Sequence, residues 1–148
     1  MLIRSKRFTK KTAVYIIIAA AVLSAALVLI LAEPADGDMG ATAGRVAYLS
    51  RLGWEAEPES ETREVIVLPR ELEGVMAQYN ELQRGQGFDL APYCGMQCIL
   101  YTYNITNYPN GDAGVTAQLF ICGTKVIAGD IHSPALDGFM HGLKQQRP

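Results

Sequence analysis

The sequence has few of the side chains that most often carry out chemistry. Its 148 residues include one tryptophan, two histidines and three cysteines. It contains no G-x-S-x-G nucleophile motif, no Ser-x-x-Lys pair and no glycine-rich phosphate loop. A chain of this length forms one small domain. This length excludes a multidomain enzyme and a nucleotide-binding fold with a separate substrate domain.

Basic residues are also scarce outside the first 12 positions. Five of the 13 basic residues lie there, which leaves eight for the rest of the chain against all 15 acidic ones. The part after residue 32 therefore has a net charge of −7. Because nucleic-acid binding depends on clustered lysine and arginine, we predict no nucleic-acid partner.

The hydrophobic residues concentrate in one run, residues 13–32, where Ser24 is the only polar side chain. A 20-residue helix rises about 30 Å, which is the thickness of the hydrocarbon core of a bilayer. Glu33 and Pro34 end the run. The pattern predicts a transmembrane helix.

All five basic residues near this run precede it, so the positive-inside rule orients the N-terminus toward the cytoplasm. We predict a basic cytoplasmic segment (1–12), a signal-anchor helix (13–32), a flexible tether (33–41) and an extracytoplasmic domain (42–148). A cleaved signal peptide is the alternative. It is disfavoured because the apolar run is long and no A-x-A pattern follows it. The predicted location is the cell membrane, with a single pass.

The exported part reads as a small α+β domain with the order α-β-β-α-β-β-β. Apolar spacing predicts helices at 42–52 and from Pro69 to about residue 84, and β-branched or alternating stretches predict strands. The predicted strands span residues 54–57, 63–68, 96–106, 115–122 and 125–131. The first two should form a hairpin, the last three an antiparallel meander, and residues 133–143 a turn with a short helical piece. We expect two layers, with the helices on one face of the sheet.

Three cysteines allow one internal disulfide. If the strands around Ile105 and Val115 pair with indices that sum to about 220, Cys98 and Cys122 lie opposite each other. That placement permits a cross-strand disulfide or two small buried residues. The spacing of Cys94 and Cys98 is not the C-x-x-C redox spacing.

Tyrosines and acidic residues suggest possible binding surfaces. Tyr101 and Tyr103 share a strand face, with Tyr108 near its end. They form either an exposed aromatic ledge for a peptide, glycan or protein partner, or part of the core under a helix. Glutamates cluster around the predicted first hairpin, as a solvated edge or as a docking face for a basic partner. They are Glu55, Glu57, Glu59, Glu61 and Glu64.

The histidines and nearby aspartates form the other candidate group. Asp130 and His132 share a strand face, and Asp137 and His141 are one helical turn apart if that piece is helical. Their spacing is too loose to predict a metal centre, so we predict no metal and no cofactor. A nucleophilic set of Cys122, His132 and Asp130 can be assembled, but no oxyanion site accompanies it.

Several short stretches together resemble a known family. They are Gly53-Trp54-Glu55, Tyr79-Asn80-x-Leu82-Gln83, Gln86-Gly87-Phe88-Asp89-Leu90, Tyr101-Thr102-Tyr103, Asn107-Tyr108-Pro109, Gly129-Asp130-Ile131 and residues 136–143. In these motifs the chain resembles the bacterial family called domain of unknown function 4830. The resemblance implies a small membrane-tethered or secreted protein, and it carries no catalytic residues.

From these patterns we predict a non-catalytic interaction or sensing module at the cell surface, with an envelope protein or peptide as partner. The candidate binding surface is Tyr101, Tyr103, Tyr108, Asp130, Asp137 and His141. The alternative is a small envelope enzyme or metal-binding protein that uses Cys122, His132, Asp130, Asp137 and His141.

Overall fold

The structure, a computed structural model, describes residues 18–22, 37–109 and 114–144. Residues 18–22 are helical. The rest of the predicted membrane helix (13–32), the basic segment (1–12) and residues 33–36 of the tether lie outside the described residues. Within the described residues, no helix has the length and apolar character needed to cross a membrane.

The described residues from 37 onward form an α+β fold, as the sequence predicts, and Met39, which falls in the predicted tether (33–41), is buried in its core. Helix α1 spans Thr42–Arg51 and helix α2 spans Gly74–Arg84. The strands are β1 (Thr62–Val67), β2 (Gln97–Asn104), β3 (Thr116–Cys122), β4 (Lys125–His132) and β5 (Met140–Gly142). They form one antiparallel sheet in the order β1-β2-β3-β4-β5.

The predicted register of the central hairpin is confirmed. Ile99 pairs with Ile121 and Asn104 pairs with Thr116, so the indices sum to 220. The register between β3 and β4 shifts next to Phe120 and Ile121, which leaves Ile127 as an extra residue in β4. Because of this bulge, Ile127 is buried on the same face as Ala128.

Two predicted elements are wrong. Residues 54–57 make only a single bridge, Ala56 with Ile105, and β1 pairs with β2 instead. The reason is Trp54, which is buried and donates its indole N–H to the carbonyl of Leu143. This contact holds the segment against the core and keeps it from forming a hairpin with β1. The C-terminal helical piece is also wrong, because residues 140–142 form β5 on the edge of β4. The observed order is α-β-α-β-β-β-β.

The helices cover opposite faces of the sheet, so the expectation of helices on one face is wrong. Helix α1 packs through Leu49 into the cluster that contains Tyr103 and Leu119. Helix α2 packs through Met76 and Tyr79 against the cluster on the other face. Alternate residues of β2 to β4 are apolar on both faces, so each face requires its own cover.

Gly129 in β4 sets how closely the C-terminal segment approaches the sheet. A Cβ atom at Gly129 would lie 2.5 Å from Cδ1 of Leu143 and 2.7 Å from the carbonyl oxygen of Gln118. We expect Gly129→Ala to lower the free energy of unfolding by about 1–3 kcal/mol, since strand backbone cannot move aside. Urea unfolding of the detergent-solubilised chain, followed by Trp54 fluorescence, measures this.

Gly85→Ala is the matched control for that substitution. Gly85 follows α2 with helical backbone angles, and the nearest atom to an added Cβ is the carbonyl oxygen of Leu82 at 3.4 Å. We expect its effect to stay within about 0.5 kcal/mol. Equal stability of the two variants would contradict the close packing described at Gly129.

Candidate functional site

A chain of hydrogen bonds crosses one face of the sheet from α2 to β3. The Tyr79 hydroxyl donates to Asp130 Oδ2 at 2.6 Å, and Asp130 Oδ1 lies 2.8 Å from His132 Nδ1. His132 Nε2 lies 3.0 Å from Thr116 Oγ1 on the neighbouring strand. Because an ionised carboxylate only accepts hydrogen bonds, His132 Nδ1 carries a proton and, in a neutral ring, Nε2 accepts from Thr116.

Burial shapes the electrostatics of this chain. Asp130 is fully buried, and its carboxylate oxygens are taken by Tyr79 and His132. Burial, followed by the charge of Asp130 and its hydrogen bond, raises the pKa of the Tyr79 phenol far above its ordinary value. Tyr79 therefore stays protonated and acts only as a donor to Asp130.

These hydrogen bonds have the connectivity of a hydroxyl–histidine–carboxylate set, but the backbone N–H of Thr116 itself is not available to a developing oxyanion. Ile105 N–H donates to the Val115 carbonyl, so the backbone N–H and C=O of Val115 point toward β2. Those of the next residue, Thr116, therefore point toward β4, where Thr116 pairs with His132. The backbone N–H of Thr116 is thus committed to the sheet. Acyl transfer needs free donors at this position.

The predicted set of Cys122, His132 and Asp130 is not assembled. Cys122 pairs with Lys125 beside the hairpin turn, whereas His132 pairs with Thr116 at the opposite end of the same two strands. Asp137 lies exposed in the turn before β5 and is not one helical turn from His141, because His141 belongs to a strand. Among the described residues, no group of three or more His, Cys, Asp or Glu side chains could hold a metal ion.

Tyr101 and Tyr103 do not form an exposed ledge. They are 6% and 0% exposed, so both tyrosines belong to the core. The Tyr103 hydroxyl accepts from Arg45 Nε at 2.7 Å and donates to Glu61, and the Arg45 guanidinium lies 3.7 Å from the centre of the Tyr101 ring. They line a buried pocket around Arg45 because α1 covers this sheet face.

Arg45 is the charge at the centre of that pocket. Its side chain donates to the Met39 carbonyl at 2.6 Å and to Glu61 Oε2 at 2.9 Å. Burial alone would raise the pKa of Glu61, but hydrogen bonds from Tyr103 and Arg45 outweigh it and lower that pKa. Glu61 is therefore part of an internal ion pair and does not belong to a solvated acidic edge.

Tyr108 and His141 meet in a stack of aromatic rings at the other end of this face. The Tyr108 ring lies 4.8 Å from the Phe139 ring and 5.9 Å from the Trp54 ring, measured between centroids. The Tyr108 hydroxyl lies 3.0 Å from His141 Nε2. Tyr108, Phe139 and His141 are half-buried, so they stabilise β5 and keep part of their rings in solvent.

Two glutamines complete the edge of β4 where β5 ends. Gln83 Oε1 accepts from the backbone N–H of Gly129 at 2.9 Å, and Gln86 Nε2 donates to the carbonyl of Gly129 at 2.9 Å. Gln86 Oε1 accepts from the N–H of Leu143 at 2.6 Å. Side-chain amides thus replace a neighbouring strand at this position.

Cys98 and Cys122 lie side by side on neighbouring strands as free thiols. Burial and the hydrogen bond between the two thiols raise the pKa of Cys98 to about 12. Cys94, the third cysteine, is half-buried and directs its sulfur toward the carbonyl of Leu90 at 3.9 Å. The predicted disulfide remains a prediction that the placement of these two sulfurs favours.

The outer edge of β1 and that of the three-residue β5 are the parts of the sheet that no described strand covers, and β1 offers the longer one. Leu68 N–H donates to the Met96 carbonyl and its own carbonyl accepts from Gly95, so Leu68 faces β2. With the two-residue period of a strand, the N–H and C=O groups of Arg63, Val65 and Val67 point outward. Most side chains of β1 are exposed.

A comparison with family models gives a match over residues 48–131, to the family described as domain of unknown function DUF4830. The chain belongs to the DUF4830 family. The match runs from α1 to the last buried residue of β4, and His132 and β5 lie outside it. No curated protein and no solved structure matches the chain.

Most residues of the motifs that this chain shares with DUF4830 proteins make contacts inside the domain. Tyr79, Gln83 and Gln86 bind β4, and Asn80 Oδ1 accepts from the N–H of Leu90 at 2.8 Å. Asn107 joins its side-chain amide to the backbone of Gly53 and Glu55. These residues hold the loops and α2 onto the sheet, so the motifs stabilise the fold.

Sequence reasoning missed the polar residues that organise the interior. Arg45 lies four residues before Leu49 on the buried side of α1, and this spacing was the available signal. Thr116 had no signal of its own, because a threonine in a strand is ordinary. Its role depends on a cross-strand pair with His132.

Glu61 should make the stability of the domain depend on pH. A carboxyl group whose pKa is lower in the folded state stabilises the fold above its unfolded value, here 4.5, and that contribution is lost as pH falls through the folded value. We expect the free energy of unfolding to drop below about pH 4.5, and Glu61→Gln to reduce this dependence. Urea unfolding at a series of pH values measures it.

Glu59→Gln, in the exposed 3₁₀ turn Pro58–Ser60, is the control for charge removal and should unfold as the wild type does. At neutral pH, Glu61→Gln should itself be destabilised by about 3 kcal/mol, because Arg45 loses its charged partner in a buried site. A Glu61→Gln variant with wild-type stability at neutral pH would contradict the role given to this ion pair.

The cysteine pair should form one specific disulfide. The β2–β3 register puts Cys98 and Cys122 at a non-hydrogen-bonded position, where Cα atoms lie about 4.5 Å apart, within the range of a disulfide. Diamide oxidation of the full-length chain, followed by denaturation and maleimide mass tagging, should show a bond that Cys122→Ser abolishes. Cys94→Ser should retain that bond, and oxidation that joins Cys94 instead would refute the placement.

Proposed function

We propose that this DUF4830 protein is a membrane-anchored extracytoplasmic module that binds a partner without catalysis. The apolar run at 13–32 and the basic residues before it support the anchor and its orientation. The net charge of −7 after residue 32 argues against nucleic acid as the partner of the domain. The domain would then sense or bind a component of the cell envelope.

The open edge of β1 carries this proposal. Natural sheets cover, shorten or block their edge strands, because an unpaired edge attracts other strands. Here a six-residue strand with no proline or lysine presents its outer backbone groups beyond any described strand. The polar side chains on the sheet faces are meanwhile used in internal hydrogen bonds, those of Asp130 with His132, of Arg45 with Glu61 and of Gln83 with Gly129. An edge of this kind supports a binding role.

The second candidate is a small envelope hydrolase that uses Thr116, His132 and Asp130. The hydroxyl–histidine–carboxylate contacts at 3.0 and 2.8 Å favour it. The commitment of the Thr116 N–H to the β-ladder counts against it. A fluorophosphonate probe discriminates the two: labelling of the wild type that is lost in Thr116→Ala and in His132→Ala would favour the hydrolase.

Topology and binding are tested together in intact cells. Protease treatment of spheroplasts should digest the domain and leave an N-terminal tag on the cytoplasmic side protected. A photo-crosslinking residue at Val65, on the open edge, should give one discrete crosslinked product. The same residue at Val75, an exposed valine on α2, should not.

The His132→Ala exchange should leave the Val65 product unchanged, because His132 lies on β4 and two strands separate β4 from β1. Protection of the domain from protease would refute the orientation. Identical products from Val65 and Val75, or none from either, would refute binding at the β1 edge.

A further inference from the structure

The outer edge of β1 has the chemistry of a binding site for an extended segment of another protein. Building on the binding role proposed above, we infer that a partner segment with basic residues near its C-terminal end adds to β1 as a sixth, antiparallel strand. Three observations carry the inference: the outward backbone groups, the exposed apolar side chains and the distribution of acidic residues.

The backbone gives the first reason. Arg63, Val65 and Val67 each direct an N–H and a C=O outward, so the edge offers alternating donors and acceptors along its length. An extended segment satisfies all of these groups at once, and strand addition is an established mode of peptide recognition. A helix cannot do so, because its own backbone groups are already paired.

The side chains give the second reason. Val65 and Val67 are 49% and 67% exposed, and they share one sheet face with the half-buried Ile99. On the opposite face, Ile66 is half-buried beside Cys98. An added strand with apolar side chains at alternate positions would shield Val65 and Val67 from water, as cross-strand neighbours do elsewhere in the sheet.

The charges select the end at which basic residues bind. The bridge between Ala56 and Ile105 places residues 54–57 on the same side of β2 as β1, so this segment continues the edge beyond Thr62. The exposed acidic residues at this end are Glu55, Glu57 and Glu59 before Thr62 and Glu64 within β1, and they outnumber the one exposed basic residue there, Arg63. Glu61 is occupied by Arg45. In an antiparallel arrangement, the C-terminal end of the added strand lies beside these carboxylates.

The same charges disfavour a second copy of this chain as the occupant. Antiparallel pairing of two β1 strands about Val65 would align Glu57 and Glu59 with the segment that follows β1 in the other copy. That segment contains two exposed acidic residues, Glu71 and Glu73, against one exposed basic residue, Arg70. Acidic residues would then face acidic residues, which costs free energy. A basic partner segment meets one like charge, Arg63, among several carboxylates, so its net interaction with this end of the edge is attractive.

The test uses the full-length chain in phosphatidylcholine nanodiscs and two fluorescein-labelled peptides. In both peptides, valine and threonine alternate over six residues. One ends in two lysines and the other in two glutamates. We expect the lysine peptide to bind roughly fivefold more tightly at low salt, a difference that two exposed ion pairs supply, and the preference to shrink as salt is added. Fluorescence anisotropy measures both affinities, with empty nanodiscs as blank.

Paired substitutions locate the binding site. Val65→Pro removes an outward N–H, which edge strands tolerate, and should abolish binding of the lysine peptide. Val75→Pro changes another exposed valine, in the first turn of α2 where proline is accepted, and should leave binding intact. Glu59→Lys should remove the preference for the lysine peptide, and Glu71→Lys should keep it.

Amide signals in NMR spectra provide a readout that does not depend on Val65→Pro folding. Saturating lysine peptide should protect the N–H groups of Arg63, Val65 and Val67 from exchange with solvent in the wild-type chain. Equal affinity for the two peptides, or protection elsewhere in the sheet, would overturn the inference.

The remaining outcomes separate this inference from the proposed function. If sedimentation shows a dimer that Val65→Pro disrupts, the occupant is a second copy and the inference fails. In another outcome, neither peptide binds while the Val65 crosslink in cells still yields one discrete product. If the crosslinked partner is then neither basic nor extended at the contact, the binding role stands and the inferred class of partner is wrong. Loss of the cellular crosslink together with absent peptide binding would remove both.

Discussion

Apolar side chains occupy both faces of the five-stranded sheet, so each face needs its own cover, and this requirement decides where the other elements lie. Helix α1 covers the face of Tyr103 and Leu119, and α2 covers the face of Ile127 and Ala128. Polar anchors complete the task, with Arg45 fixing α1 to the sheet through a buried ion pair, and the glutamines and Tyr79 of the α2 region fixing that helix to β4.

The sequence predicts the parts of the fold whose signals are local. Alternation over residues 96–106 and the index sum of 220 predict the β2–β3 pairing correctly, and the turn at Gly123 predicts the β3–β4 hairpin. Strand period and turn chemistry are properties of a few neighbouring residues. The errors arise where distant contacts decide. Residues 54–57 read as a strand, but the burial of Trp54 under Leu143 places them elsewhere, and β5 forms because β4 has a vacant edge.

The candidate site shows the same division. That Asp130 and His132 share a face follows from the strand period, and the structure brings them into contact. That Thr116 is the third member, rather than Cys122, depends on which end of a hairpin each residue occupies. Tyr101 and Tyr103 show a further limit, since alternation indicates that two residues share a face but not whether a helix covers it. The buried position of Arg45 is of this kind too, because it depends on a hydroxyl 58 residues away.

The hydrogen bond from Trp54 to Leu143 joins residues 89 positions apart. Ribosomes make proteins from the N-terminus, so Trp54 emerges long before the carbonyl that satisfies its indole. Until residue 143 is made, the face under α1 lacks both the Leu143 side chain and the aromatic stack that closes it. The domain therefore completes its core only when residues 139–143 arrive. Its first half must wait in an unfinished state, a period in which assistance from a chaperone would protect it from aggregation.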